Sequence, residues 1–102
     1  MTRSETTGIN NDGDPMTLHR RHIDRIDRTI VALIAERMRL GLALGAIKRA
    51  RHQPVRSAVR EAEVMARVRE AADGLLPASA VERIFNAIIA ETTASQERDY
   101  GC

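Results

Sequence analysis

The residues best suited to chemistry are cationic and amide side chains set into otherwise apolar columns. Written as a heptad, the stretch from Leu18 to Arg51 has one column of Ile23, Ile30, Arg37 and Leu44 and another of Ile26, Leu33, Leu40 and Ile47. Arg37 therefore takes a core position. The neighbouring column reads Arg20, Asp27, Ile34, Gly41, Lys48, so Arg20 and Lys48 flank the same face at its two ends. Further on, Glu61 heads a stripe of Met65, Val68 and Ala72, and a stripe of Val81, Phe85 and Ile88 turns polar at Thr92 and Gln96.

Each residue alone has an ordinary explanation. Arg37 can snorkel at the edge of a stripe, and Lys48 near a helix end complements the dipole. Glu61 can cap its helix or pair with Arg60 or Arg67, and Thr92 and Gln96 can mark fraying. Arg20, beside Arg21 and Arg25, can belong to a solvated basic face. Together they read differently, because three segments each replace an apolar position with a hydrogen-bonding one. An uncompensated buried charge costs several kcal/mol, so several cations on one inner face call for an anion between them. The planar fork of arginine suits carboxylates.

What is missing narrows the chemistry. No Ser or Cys stands with a placed His, no cluster has metal-ligand spacing, and no Gly-rich phosphate loop occurs. His19, His22 and His52 lie outside the apolar columns. Arg, Lys, Gln, Thr and one Glu orient and polarise. They suit a binding protein, or a reaction that needs only positioning and charge stabilisation, and no cofactor is implied.

The elements that must carry these residues are helical. In 102 residues there is no Trp, one Tyr and one Phe, and Ala, Leu, Ile, Arg and Glu dominate. Residues 1–17 read as a flexible leader. A helix of roughly 34 residues, about 50 Å long, is expected from Leu18 to Arg51, ending before Pro54. A second is expected from Ser57, as N-cap, to Asp73, with Gly74 as the stop. A third opens at Pro77 and runs to about Arg98, leaving 99–102 as a frayed tail. The fold class is all-α. So long a first helix exceeds what two shorter ones cover, which predicts a homodimer. Gly41 and Gly45 would let a neighbouring backbone or ligand come close.

Composition bounds the setting. The sixteen basic residues comprise fifteen Arg and Lys48, against fourteen acidic ones, for a net charge of +2. The acidic residues are interleaved throughout, so no basic stripe for nucleic acid emerges. The lone cysteine, Cys102, allows no intrachain disulfide. No apolar stretch approaches the ~18 residues of a membrane span, and residues 1–15 lack the apolar core of a signal peptide. A cytoplasmic protein is expected.

From Leu18 to Arg98 the chain resembles the small all-helical chorismate mutases. The matching pieces are Arg20-x-x-Ile23-Asp24-x-Ile26-Asp27, Leu33-Ile34-Ala35-Glu36-Arg37, Gly45-x-x-Lys48, Pro54-Val55-Arg56-x-x-x-Arg60-Glu61, and Ile84-Phe85-x-x-Ile88-Ile89-x-Glu91-Thr92-x-x-x-Gln96. Each piece is weak alone, and their order and spacing over some eighty residues carry the resemblance. It implies an intertwined homodimer with two sites, each completed by the other chain's first helix. It implies that Arg37, with Arg20 of the partner chain, holds the two carboxylates of chorismate. Lys48 and Gln96 would donate to the ether oxygen and Glu61 would accept from the ring hydroxyl. Arg60 would support the carboxylate side and Thr92 would help seat a carboxylate. The implied reaction is the pericyclic rearrangement to prephenate, with no covalent intermediate.

The chain departs from the family pattern twice. Ser57 stands where better-known members have Asp, near the ring hydroxyl, and Thr92 stands where Ser is common. Ser57 leaves room for the 4-amino analogue of chorismate, or is neutral towards the substrate, which is the preferred reading. An isochorismate-pyruvate lyase shares the fold, but as the pattern is understood lacks a glutamate at the position of Glu61. A non-catalytic helical interaction module is the alternative of another class. The resemblance leaves open whether a synthase of the same pathway is a partner.

Overall fold

The computed structural model describes residues 13–101, with side chains as far as Arg98. Its elements are three helices: α1 (Pro15–Ala50), α2 (Ala58–Ala72) and α3 (Ala78–Gly101). There is no strand among the described residues, so the expected all-α class with one long and two shorter helices is what is found. Residues 1–12, most of the expected leader, and Cys102 lie outside the described residues.

Local chemistry accounts for the helix ends. α1 begins at Pro15, three residues before the expected Leu18. The Asp14 carbonyl accepts the Leu18 N–H at 3.0 Å, its carboxylate accepts the Thr17 hydroxyl at 3.3 Å, and proline suits a first turn. At the other end, the Gln53 N–H reaches the Lys48 carbonyl at 2.8 Å and the His52 N–H that of Arg49 at 3.0 Å. This is a Schellman closure, with His52 at φ 57° where glycine is usual. The stop is therefore a hydrogen-bonded turn, beyond the restraint Pro54 places on the residue before it.

Ser57 caps α2 as expected, its hydroxyl oxygen accepting the Arg60 N–H at 3.1 Å. Gly74, at φ 78°, follows the cap residue Asp73. Pro77 sits just ahead of α3, its carbonyl accepting from Ala80 and Val81. α3 continues past the expected Arg98 to Gly101.

The chain divides into an amino-terminal unit ending at Ala35 and a carboxy-terminal unit beginning at Glu36. In the second unit α2 and α3 pack together. Ala72 and Val81 are its buried apolar residues, and an Arg69–Glu82 ion pair of 3.2 Å joins the two helices. The apolar columns of α1 stand open in the single chain. Ile23, Ile26, Ile30, Leu33, Leu40, Leu44 and Ile47 read as an inner face, yet each is 44% to 63% exposed in the single chain. The only residue α1 buries is Gly45. Within the carboxy-terminal unit, α3 meets α1 at Gly41 and Gly45, through the Thr92 and Gln96 side chains, while Leu40, Leu44 and Ile47 remain substantially exposed.

Candidate functional site

The polar face of the carboxy-terminal unit is helical in period on all three helices. On α1, Arg37, Gly41, Leu44 and Lys48 are spaced 4-3-4 and so share one side. On α2, Ser57, Arg60 or Glu61, and Val64 repeat the pattern from the cap inward. On α3, Ile89, Thr92 or Thr93, and Gln96 do so again. All of them line one cavity of about 250 Å³. This lies just below the roughly 300–1,000 Å³ usual for drug-sized ligands, so the space suits a compact small molecule.

Two glycines set the distance between α1 and α3. A Cβ on Gly41 would stand 2.5 Å from Thr92 Cγ2, and one on Gly45 would stand 3.3 Å from Gln96 Cγ and Nε2. The close approach read from their spacing is thus made by α3. It lets the Gln96 side-chain amide donate to the Gly41 carbonyl at 2.7 Å, which fixes the amide and leaves its second N–H for a ligand. Thr92 and Gln96 are both buried, so the polar turn of α3 is packed structure and not fraying. The Thr92 hydroxyl donates to its own helix at the Ile88 carbonyl, 2.8 Å away. To donate to a ligand carboxylate, that hydroxyl must turn.

The cations are similarly held. Lys48 is half-buried and gives one of its three N–H donors to the Val55 carbonyl at 3.1 Å. That contact folds the ammonium back over the cavity. The Arg37 guanidinium lies 6.0 Å from the Phe85 ring centroid, at the outer range of a cation–π contact. Arg37 is half-buried and lines the cavity, so it is not merely a snorkelling edge residue.

Arg37, Lys48, Arg56 and Arg60 face a single carboxylate, Glu61. The surplus is cationic, which favours an anionic ligand. Glu61 pairs with neither Arg60 nor Arg67 as the sequence allowed. Its Oε2 takes Arg56 Nε at 2.9 Å and its Oε1 takes Arg56 Nη2 at 3.4 Å, while Arg60 reaches Glu63 at 3.6 Å. The nearby Glu61 carboxylate raises the Arg56 pKa above its ordinary value, by hydrogen bonding first and charge second.

Seven of the residues singled out from sequence thus meet at one cavity: Arg37, Lys48, Ser57, Arg60, Glu61, Thr92 and Gln96. Arg20 does not line it; it is exposed in the amino-terminal unit. Sequence reasoning gave no role to Arg56, because it precedes the Ser57 cap and no helical period points to it. The apolar lining by Leu40, Val55, Val64 and Ile89, and the presence of Thr93, also went unmarked. His19, His22 and His52 are exposed. Among the described residues no group of three His, Cys, Asp or Glu is placed to hold a metal, and no helix is long and apolar enough to cross a membrane.

Chemically, the arrangement offers donors and positive charge around a small, partly apolar space, with one carboxylate in its lining. It can fix a polyanion and stabilise charge that develops on an oxygen. In comparison with known proteins, the family described as chorismate mutase type II matches residues 19–97. None of the curated proteins matches the chain.

Proposed function

The chain belongs to the type II chorismate mutase family, and on that footing we propose that it is an isomerase converting chorismate to prephenate. The observation that carries the reading is the convergence of Arg37 and Lys48 from α1 with Gln96 from α3 on one cavity that holds a single carboxylate. In the rearrangement an ether C–O bond breaks as a C–C bond forms, with no proton transfer and no covalent intermediate. The protein must hold a compact reactive conformer and stabilise the partly negative ether oxygen. An acceleration of about 10⁶ asks for roughly 8 kcal/mol, within reach of those two effects together.

The roles follow from the donors left over. Lys48 has two N–H groups beyond the one given to Val55, and Gln96 has one beyond that given to Gly41; these meet the ether oxygen. Arg37 takes one carboxylate, with Arg60 supporting that side and Thr92 seating it once its hydroxyl turns from Ile88. Glu61 accepts from the ring hydroxyl. Ser57 serves first as the cap of α2, a task Ser and Asp perform about equally, which accounts for serine there without a change of substrate.

We further propose a homodimer, in which the partner subunit's Arg20 holds the second carboxylate. The support is the exposed Ile/Leu stripe of α1, since a contiguous exposed apolar stripe marks a surface that another protein surface covers.

Incubation with chorismate, isochorismate and the 4-amino analogue of chorismate, followed by product analysis, tests the reading. Prephenate from chorismate is expected. Salicylate and pyruvate from isochorismate as the main products would replace the mutase by a lyase. Preferential turnover of the amino analogue would reassign the substrate.

A further inference from the structure

Arg56 is the one cavity-lining cation that the proposed reaction leaves without a task. It stands one residue before the α2 cap, its side chain is largely exposed, and it engages both oxygens of Glu61. A carboxylate held on both oxygens has a fixed plane and a neighbouring charge of opposite sign. What it offers a ligand is an oriented lone pair with little net negative field. The other charged side chains lining the cavity, Arg37, Lys48 and Arg60, are all cationic; outside the lining, Glu63 pairs with Arg60 and the charge of Glu97 also reaches Arg56.

We infer that Arg56, by pairing with Glu61, sets the site's selectivity for an uncharged hydroxyl over an ammonium on the substrate ring. The inference rests on the mutase reading, in which Glu61 faces that ring substituent. A hydroxyl needs only an acceptor, and the paired Glu61 remains one. An ammonium needs an uncompensated anion, and here the one carboxylate that lines the cavity is already balanced by Arg56, while Arg37, Lys48 and Arg60 line the same space. Arg56 is in this sense a positioning residue: it acts through Glu61 and not on the reacting bond.

The test measures kcat/KM for chorismate and for its 4-amino analogue in the wild type, Arg56→Gln and Arg56→Lys, with helicity and melting temperature as folding controls. The wild type should prefer chorismate. Arg56→Gln should shift the ratio toward the amino analogue by at least about threefold, the size of one unit charge a few ångströms away under near-water screening. The shift should shrink at high salt. Arg56→Lys, which keeps the charge and loses the fork, should hold the ratio near that of the wild type. A ratio unmoved in Arg56→Gln, or moved equally in both variants, overturns the inference. So does a wild type that prefers the amino analogue, which leaves the mutase fold and chemistry standing. A wild type that converts neither compound overturns the mutase reading, and this inference with it.

Discussion

Residues 23–33 and residues 37–48 belong to the same helix and follow the same 3-4 spacing, yet they meet different surroundings. In the first stretch Ile23, Ile26, Ile30 and Leu33 present large apolar side chains that are about half exposed. In the second, glycine at 41 and 45 admits α3 closely enough for Thr92 and Gln96 to be buried there. Within the carboxy-terminal unit, side-chain size at the contact, more than hydrophobicity, decides which face of α1 meets α3. The apolar stripe is left for something else, and the cavity forms where the small residues are.

Removing the ammonium at the end of the second stretch should produce the largest effect. Lys48→Ala is expected to lower kcat by about 10²–10³, the usual cost of deleting one donor to a developing negative charge. Circular dichroism should show an intact fold, because among the described residues the Lys48 side chain makes one hydrogen bond, to Val55. A variant with unchanged turnover would leave the cavity a passive pocket and favour a non-catalytic interaction module.

The first stretch is probed by charge. Ile30→Glu on a stripe that stays in water is an ordinary surface change, worth within about 0.5 kcal/mol. On a stripe buried in the proposed dimer it strands a charge at a cost of several kcal/mol. Sedimentation should therefore show dissociation to monomers, and turnover should fall with it, since the partner subunit's Arg20 is lost. An unchanged dimer, or a fully active monomer, breaks the contrast drawn between the two stretches.

Much of this was legible in the sequence for identifiable reasons. Helix ends were readable where one residue makes the stop or start by itself, as with the Ser57 hydroxyl and the left-handed backbone of Gly74. The polar members of the site were readable because Arg37, Thr92 and Gln96 interrupt apolar columns. What covers the α1 stripe was not legible in the same way, because periodicity reports a face and not its partner. Arg56 escaped because it lies in the segment between two helices, where no period exists, and its partner Glu61 is five residues away across a helix start. His52 escaped too, since its left-handed conformation is set by a turn in which glycine would be the expected residue.

The glycine contact itself can be graded. Gly41→Ala places a Cβ 2.5 Å from Thr92 Cγ2, so α1 or α3 must shift. Overpacking of this kind costs about 1–3 kcal/mol, against a gain of up to about 1 kcal/mol in helix propensity. Gly45→Ala meets Gln96 at 3.3 Å, which a flexible amide relieves by moving. Thermal melts should rank Gly41→Ala as clearly destabilised and Gly45→Ala as near neutral in stability. Both should lose turnover because both displace Gln96. Equal stability of the two variants would show that α3 is not held against α1 as closely as the structure has it.

The smallest effect belongs to the turn that leads from α1 to Arg56. His52 adopts φ 57°, a conformation that costs an L-residue roughly 1–2 kcal/mol and glycine almost nothing. His52→Gly removes that strain, but it also frees the unfolded chain and so returns part of the gain. The net expectation is a stabilisation of about 0.5 kcal/mol, seen as a small rise in melting temperature. Turnover should stay unchanged, because the His52 side chain is exposed and does not line the cavity. A fall in turnover without a fall in stability would show that the rigidity of this turn positions Val55 and Arg56. The site would then depend on the α1–α2 connection as much as on the facing helices.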